Sequence, residues 1–363
     1  MNVMITCGGT GGHSMPAIAI ADMIKENLAH TKILFVGSEK GMEKELVPRS
    51  GYPIKQLRVE GISRSCSFQN LHAAWLTIRA IGHAKRIAEE FHPNLVIGTG
   101  GYACYPSLMA AARLGIPTAV HESNAIPGLA VKNLASHVDR VWLNFPSAAQ
   151  GLSPKAKIAI VGNPLPRGYR IVDRKRNTNT KEKRVLSFGG SLGARELNRA
   201  VLSLMERELN MPHISHLHAT GEREYEGFMK EFLGKGLDDC KRFRVVPFIH
   251  DMTEQMAAAD LVICRAGAMS ISELANLGCA AILVPSPNVT GNHQFKNAEA
   301  LERVGAAKLL PEALLCAGAL PGMVLSLLKN KEELEGLQRN ILRFSHPDAN
   351  RLIFEDITKL IKI

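Results

Sequence analysis

The sequence predicts an α/β protein of two Rossmann-like domains with mainly parallel sheets. Three observations lead there. Strand-like runs alternate with helix-like runs along most of the chain, the pattern of a parallel sheet covered by helices. A strand–glycine–helix unit recurs 181 residues apart, at Gly8 and Gly189, almost half of the 363 residues. At roughly 150 residues per domain the length suits two cores.

The elements follow in order. Short apolar runs bounded by Gly, Pro or polar residues predict strands at Val3–Cys7, Ile33–Val36, Leu95–Ile97, Thr118–His121, Arg140–Leu143, Val185–Phe188, Leu217–Ala219, Leu261–Cys264 and Ala281–Val284. Apolar residues at helical spacing predict helices at Pro16–Leu28, Trp75–Phe91, Pro106–Leu114, Ala194–Leu209, Ser270–Leu277 and Gln294–Val304. Asn350–Ile363 reads as an amphipathic helix. The halves echo twice. Val3–Cys7 leads into Gly8-Gly9-Thr10-Gly11-Gly12, as Val185–Phe188 leads into Gly189-Gly190-Ser191-Leu192-Gly193. Leu95-Val96-Ile97 pairs with Leu261-Val262-Ile263, each followed by glycines, a helix ending Leu-Gly and another apolar strand. The expected division is a first domain over 1–164, a basic linker over 165–184, a second domain over 185–345, and a last helix over 346–363.

Composition narrows the partners. Charged residues are 21% and hydrophobic ones 46%, which excludes disorder and collagen. The net charge of +10 implies an anionic partner. Residues 1–165 hold 16 basic and 10 acidic groups, residues 166–184 hold 8 and 2, and the remainder 20 and 22. Aromatics at 5%, with basic residues in a linker rather than along a helical face, argue against nucleic acid. The seven cysteines are scattered without metal or disulfide spacing, so free thiols in a reducing cytoplasm are expected. No apolar run reaches 18 residues, and the N-terminus shows no basic region and cleavage site of a secretory signal.

Several strings carry chemistry. Gly8–Gly12, ahead of a helix with Pro16 as its expected first residue, offers free N–H groups to an anion. It matches neither a dinucleotide fingerprint nor a P-loop. His13 follows directly and is a candidate base. Arg265-Ala266-Gly267-Ala268-Met269-Ser270-Ile271-Ser272-Glu273 has two readings. Ser270 and Glu273 form a capping box, or phosphates sit on the N–H groups of Ala268–Ser270 while Glu273 takes a ribose diol. Asn292-His293-Gln294 offers amides for sugar hydroxyls. His121-Glu122-Ser123-Asn124 ends a strand where α/β sheets bind ligands, or forms a buried network. No Asp-x-Asp pair or His/Cys cluster marks a metal site, so no metal and no cofactor are expected.

Together these strings resemble the MurG family of glycosyltransferases, family 28, in order from residue 5 to about 300. The resemblance implies a GT-B fold, with the two domains facing a deep interdomain cleft and the last helix returning to the first domain. The matching segments include Gly8–His13 with Pro16-Ala17, Gly98-Thr99-Gly100-Gly101-Tyr102, His121–Asn124, Gly162-Asn163-Pro164, Gly189–Ala194, Pro247-Phe248-Ile249, Arg265–Glu273 and His293-Gln294. The resemblance implies an inverting, metal-independent transfer of GlcNAc from UDP-GlcNAc to the C4 hydroxyl of MurNAc in undecaprenyl-linked lipid I, in peptidoglycan synthesis. It implies His13 as general base, with Thr10, Gly11, Gly12 and Asn124 toward the donor sugar and acceptor. Ile249 would lie at uracil, Glu273 at ribose, and Ser191, Ala268, Met269, Ser270, Ile271 and Ser272 around the diphosphate. Gln294 would face the sugar, and Arg167, or Arg170 in its place, the nucleotide. Tyr102, His121 and Glu122 are acceptor-side candidates. A lipid acceptor further implies contact with an anionic membrane at its cytoplasmic face, for which Phe68, Leu71, Trp75, Arg79, Lys85 and Arg86 are candidates. The alternatives are another GT-B lipid glycosyltransferase, a UDP-GlcNAc 2-epimerase, or a nucleotide-sugar binding module without catalysis.

Overall fold

The computed structural model describes residues 1–60, 68–166, 182–190, 193–316 and 318–362, without the side chains of 68–71 and 290. The chain divides into two compact units, Met1–Tyr169 with His346–Ile363, and Arg170–Ser345.

The first unit holds β1 (Asn2–Thr6), β2 (Lys32–Ser38), β3 (Ile54–Leu57), β4 (Leu95–Gly98), β5 (Thr118–Glu122), β6 (Arg140–Leu143) and β7 (Ile158–Ile160). They form one sheet in the order β3-β2-β1-β4-β5-β6-β7, with every pairing parallel. Parallel strands covered on both faces need apolar side chains on both, which is why β1 and β4 read as unbroken hydrophobic runs. Val3, Ile5, Leu95, Ile97, Ala119 and Trp142 pack on one face against Ile20 and Ile24 of the helix Gly11–Asn27. Met4, Val96, Val120 and Val141 turn to the other, against Leu108 and Ile87. The helix Ala349–Ile361 supplies Ile353 and Ile357 to the first of these clusters. Its Asp356 accepts from Trp142 Nε1 at 2.7 Å and from Arg140 Nε at 3.2 Å.

The second unit holds β8 (Lys183–Phe188), β9 (Ile214–Ala219), β10 (Phe243–Val246), β11 (Leu261–Cys264), β12 (Ala281–Leu283) and β13 (Lys308–Leu309), in the order β10-β9-β8-β11-β12-β13, again parallel. Strand β8 begins at Lys183, so the last two residues of the expected linker belong to the sheet. In both sheets the chain starts centrally, winds outward, and returns to the other side of its first strand. The switch points lie between β1 and β4 and between β8 and β11, and crevices at such points are where open α/β sheets bind ligands.

The second core contains a buried polar chain. Ser187 Oγ lies 2.7 Å from His216 Nε2 and 2.8 Å from His218 Nδ1, and His216 Nδ1 lies 2.8 Å from Glu208 Oε2. All four residues are fully buried. Burial, and next the neighbouring His216, push the His218 imidazole down to about 3, so it is neutral at physiological pH.

Two helix starts differ from expectation. The first helix begins at Gly11, not Pro16, with Thr10 as its N-cap residue in extended conformation. His13 therefore stands inside the first turn. The helix Ala268–Leu277 begins two residues before Ser270, and its N-cap residue is Gly267. Its cap residue makes no side-chain cap bond, so Ser270 and Glu273 form no capping box. In both cases the glycine loop leaving the strand sets the start, ahead of the locally favoured residue.

Candidate active site

In the first unit the loops after β1, β2, β4 and β5 converge at the C-terminal ends of their strands. The β1 and β4 loops touch through glycines: a Cβ on Gly101, which has φ +88°, would overlap the Gly8 carbonyl. Only a residue without a side chain fits there. Across this contact His13 Nδ1 sits 2.9 Å from the Thr99 carbonyl oxygen, and the Thr99 hydroxyl donates to the His13 carbonyl at 2.7 Å. A carbonyl only accepts, so Nδ1 carries a proton, and in the neutral form of the ring the lone pair lies on Nε2. That is the tautomer a base at the helix mouth needs. Thr10, Gly11, Gly12 and His13 thus form one turn. Tyr102 is exposed above the loop, where its ring approaches Gly9.

The β5 loop is put to other use. Burial pushes the His121 imidazole down to about 4, against the opposing effect of its 2.9 Å bond from Nε2 to the Gly162 carbonyl; Ser123 Oγ lies 3.4 Å from Nδ1. Glu122 accepts from the Asn124 backbone and side-chain amides at 3.0 Å each, and from Gly128 N–H at 2.7 Å. Of the three acceptor-side candidates, His121 and Glu122 are therefore spent on the protein's own backbone, the buried-network reading. Asn124 is partly exposed beside them.

In the second unit the loops after β8, β11 and β12 gather the other candidates. Gly193, with φ +81°, packs so tightly that a Cβ would overlap the Thr220 carbonyl, to which Asn198 Nδ2 also donates at 3.0 Å. After β11, Arg265 is ion-paired with Glu312 and donates to the Val284 carbonyl at 3.2 Å. Asn297 Nδ2 donates to the Ala266 carbonyl at 3.2 Å, which braces the turn into Gly267. Ala268, Met269 and Ser270 are the first turn of the following helix, where N–H groups and the helix dipole favour an anion. Ile271 and Ser272 are buried behind them. Burial lifts the Glu273 carboxyl to about 7. Gln294 Oε1 accepts from Ser286 N–H at 2.8 Å, tying the helix His293–Glu302 to the proline loop. Ile249 is buried beside exposed Phe248. Arg167, Arg170 and Ser191 lie outside the described residues.

The surface candidates fall on the helix Phe68–Phe91. Leu76, Ala80, Ala84 and Ile87 face the core, while Trp75 is 50% and Ile78 69% exposed. Arg79 stacks its guanidinium 4.7 Å from the Trp75 ring, and His72 flanks the same ring at 6.1 Å. Lys85 and Arg86 continue the exposed side. The side chains of Phe68 and Leu71 lie outside the described residues. Among the described residues, no helix is long and apolar enough to cross a membrane, and no three His, Cys, Asp or Glu side chains converge as a metal site.

Two glycine-looped parallel sheets of this kind define a protein of twin Rossmann form. Models of the glycosyltransferase family 28 N-terminal and C-terminal domains match residues 3–143 and 184–353, and the chain belongs to that family. It is 40% identical, over 100% of its length and 99% of the relative's, to the UDP-N-acetylglucosamine–N-acetylmuramyl-(pentapeptide) pyrophosphoryl-undecaprenol N-acetylglucosamine transferase of Acetivibrio thermocellus. The crystal structure of Acinetobacter baumannii MurG superposes with a TM-score of 0.80 at 29% identity, covering 99% of each chain. The UDP-GlcNAc 2-epimerase of Neisseria meningitidis shares the fold at TM-score 0.62 and 12% identity, over 99% of this chain and 100% of that one.

Proposed function

We propose that this chain transfers GlcNAc from UDP-GlcNAc to the C4 hydroxyl of MurNAc in undecaprenyl-linked lipid I, yielding lipid II and UDP. The observation that carries the reading is the end-to-end similarity to the Acetivibrio thermocellus transferase, whose name describes both substrates.

The chemistry assigned to the residues is as follows. His13 Nε2 takes the proton of the acceptor hydroxyl as its oxygen attacks the anomeric carbon, and the bond from that carbon to the UDP oxygen breaks with inversion. The Thr99 carbonyl holds the imidazolium that results. In the second unit the Ala268–Ser270 N–H groups and Ser191 receive the diphosphate, so charge on departing UDP is met by fixed dipoles and the reaction is read as metal-independent. Ile249 sits at uracil, Glu273 takes ribose hydroxyls, and Gln294 faces the sugar. Thr10, Gly11, Gly12, Asn124 and Tyr102 face the reacting sugars, and Arg167 or Arg170 the nucleotide.

Peripheral binding to the anionic cytoplasmic face of a membrane completes the reading. Exposed Trp75 and Ile78 beside Arg79, Lys85 and Arg86 support it, since apolar rings at the headgroups combine with about 1 kcal/mol per cation near the surface.

The test is incubation of labelled UDP-GlcNAc with a short-chain lipid I analogue. Formation of the β-linked disaccharide is expected. Hydrolysis or 2-epimerisation of the donor without transfer would overturn the reading.

A further inference from the structure

Outside the residues assigned above, the described residues of the first unit include a buried carboxylate bonded to the loop after β1. Glu43 opens the helix Glu43–Arg49 and is 0% exposed. Its Oε2 accepts from Gly9 N–H at 2.9 Å, while its Oε1 accepts from Ser38 N–H and the Ser38 hydroxyl at 2.7 Å each. A carboxylate leaves water only at a large cost, which charge-assisted hydrogen bonds of this kind offset. The surroundings are cut to fit it: a Cβ on Gly41 would overlap the carboxylate, and one on Gly37 would press on Glu43 Cγ.

The bond to Gly9 is the informative one. Gly9 has φ +92° and precedes Thr10, the N-cap residue of the helix whose first turn carries His13. On its other side the same loop rests on Gly101, and His13 is held by Thr99. The loop is thus clamped between the β4 loop and a carboxylate that reaches up from the β2 side. We infer that Glu43 is a positioning residue for transfer: by fixing the Gly9 peptide it sets where the turn Thr10–His13 stands, and so governs turnover rather than donor affinity. The inference rests on the assignment of His13 and its loop to the reacting sugars.

The discriminating variant is Glu43→Gln. It keeps the volume but turns one acceptor into an N–H donor, which then meets the N–H of Gly9 or of Ser38. Displacements of about 1 Å at a reacting group cost on the order of a hundredfold. Glu43→Gln is accordingly expected to lower kcat by about 10- to 100-fold, with the KM and calorimetric Kd for UDP-GlcNAc unchanged within about twofold. Ser38→Ala removes a bond to the same carboxylate without touching the loop, and should keep kcat within about twofold at a comparable loss of melting temperature. Gly9→Ala strains the loop while leaving Glu43 in place, and should reproduce the kcat loss even where Glu43→Gln fails to fold.

A wild-type kcat in Glu43→Gln or Gly9→Ala would overturn the inference. So would an equal kcat loss in Ser38→Ala, since that reports general destabilisation. His13→Ala in the same assay separates the two layers. If it is inactive while Glu43→Gln is normal, positioning alone fails; if it turns over like wild type, the site reading itself fails.

Discussion

His13 and Thr99 hold each other in a reciprocal pair, with Nδ1 donating to the Thr99 carbonyl at 2.9 Å and the Thr99 hydroxyl donating to the His13 carbonyl at 2.7 Å. The two residues lie 86 apart in sequence, His13 in the first turn of the helix after β1 and Thr99 on the loop after β4, at the switch point of the sheet. One pair fixes both the tautomer of the imidazole and the spacing of the loops.

Removal of the imidazole takes away the proposed base together with its bond to Thr99, while the bond from the Thr99 hydroxyl to the His13 carbonyl remains. His13→Ala is expected to lower kcat by about 10²- to 10⁴-fold, the usual worth of a positioned base, while UDP-GlcNAc binding measured by calorimetry stays within about twofold. Full turnover in this variant would exclude His13 as the base.

Glu273 predicts a pH-dependent donor affinity. Its carboxyl is raised from 4.5 to about 7 by burial, so it contributes stability that is present below pH 4.5 and lost as pH rises through about 7. A ribose diol donating two hydrogen bonds favours the ionised form. UDP-GlcNAc, whose diphosphate diester does not titrate near neutrality, should bind about tenfold more tightly at pH 8 than at pH 6. Glu273→Gln should flatten that profile and weaken binding. A flat wild-type profile would remove the carboxylate from the ribose.

Acid should destabilise both units through buried histidines. His121 is held down to about 4 and His218 to about 3, each neutral in the fold. In the unfolded chain they protonate near pH 6.5, so the unfolded state binds more protons and stability falls as pH drops below that value. The loss between pH 7 and pH 5 is about 2 kcal/mol per histidine. Urea unfolding at the two pH values checks it, with His218→Asn reducing the dependence for the second unit. Equal slopes in wild type and variant would contradict a neutral His218.

Membrane attachment should be separable from catalysis. Trp75→Ala and Arg79→Glu remove the stacked pair of the exposed helix face. Each is expected to lower sedimentation with vesicles of anionic phospholipid by about fivefold or more, in line with about 1 kcal/mol per charge. Turnover on a short-chain soluble acceptor should be unchanged. Undiminished vesicle binding in both variants would move the contact elsewhere.

The architecture was legible because the inner strands are buried on both faces and so carry continuous apolar runs; β6 and β11 match the sequence expectation end to end. Edge strands were not legible. Ile54–Leu57 alternates apolar with polar, Ile158–Ile160 is partly exposed, and Lys308–Leu309 is two residues long. Helix starts were misplaced where a loop outweighs local preference, as at Pro16 and Ser270. Glycine strings marked the loops that make close backbone contacts, since tight approach leaves a compositional trace. The groups that hold those loops leave none. Glu43 reaches Gly9 from 34 positions away, and Glu208, His216 and Ser187 meet only because β8 and β9 pair.

The helix Ala349–Ile361 has a bearing on how the protein is made. Ile353 and Ile357 belong to the core that contains Val3 and Ile5, and Asp356 bonds Trp142 across 214 positions. During synthesis the second unit has all of its residues before that helix emerges from the ribosome, so it can fold as translated. The first unit, though begun earlier, completes that core only when Ile353 and Ile357 join the residues of the helix Gly11–Asn27. Such long-range closure is slow and leaves apolar surface open to association. The first core is thereby the last to be completed, although its residues are the first to be made.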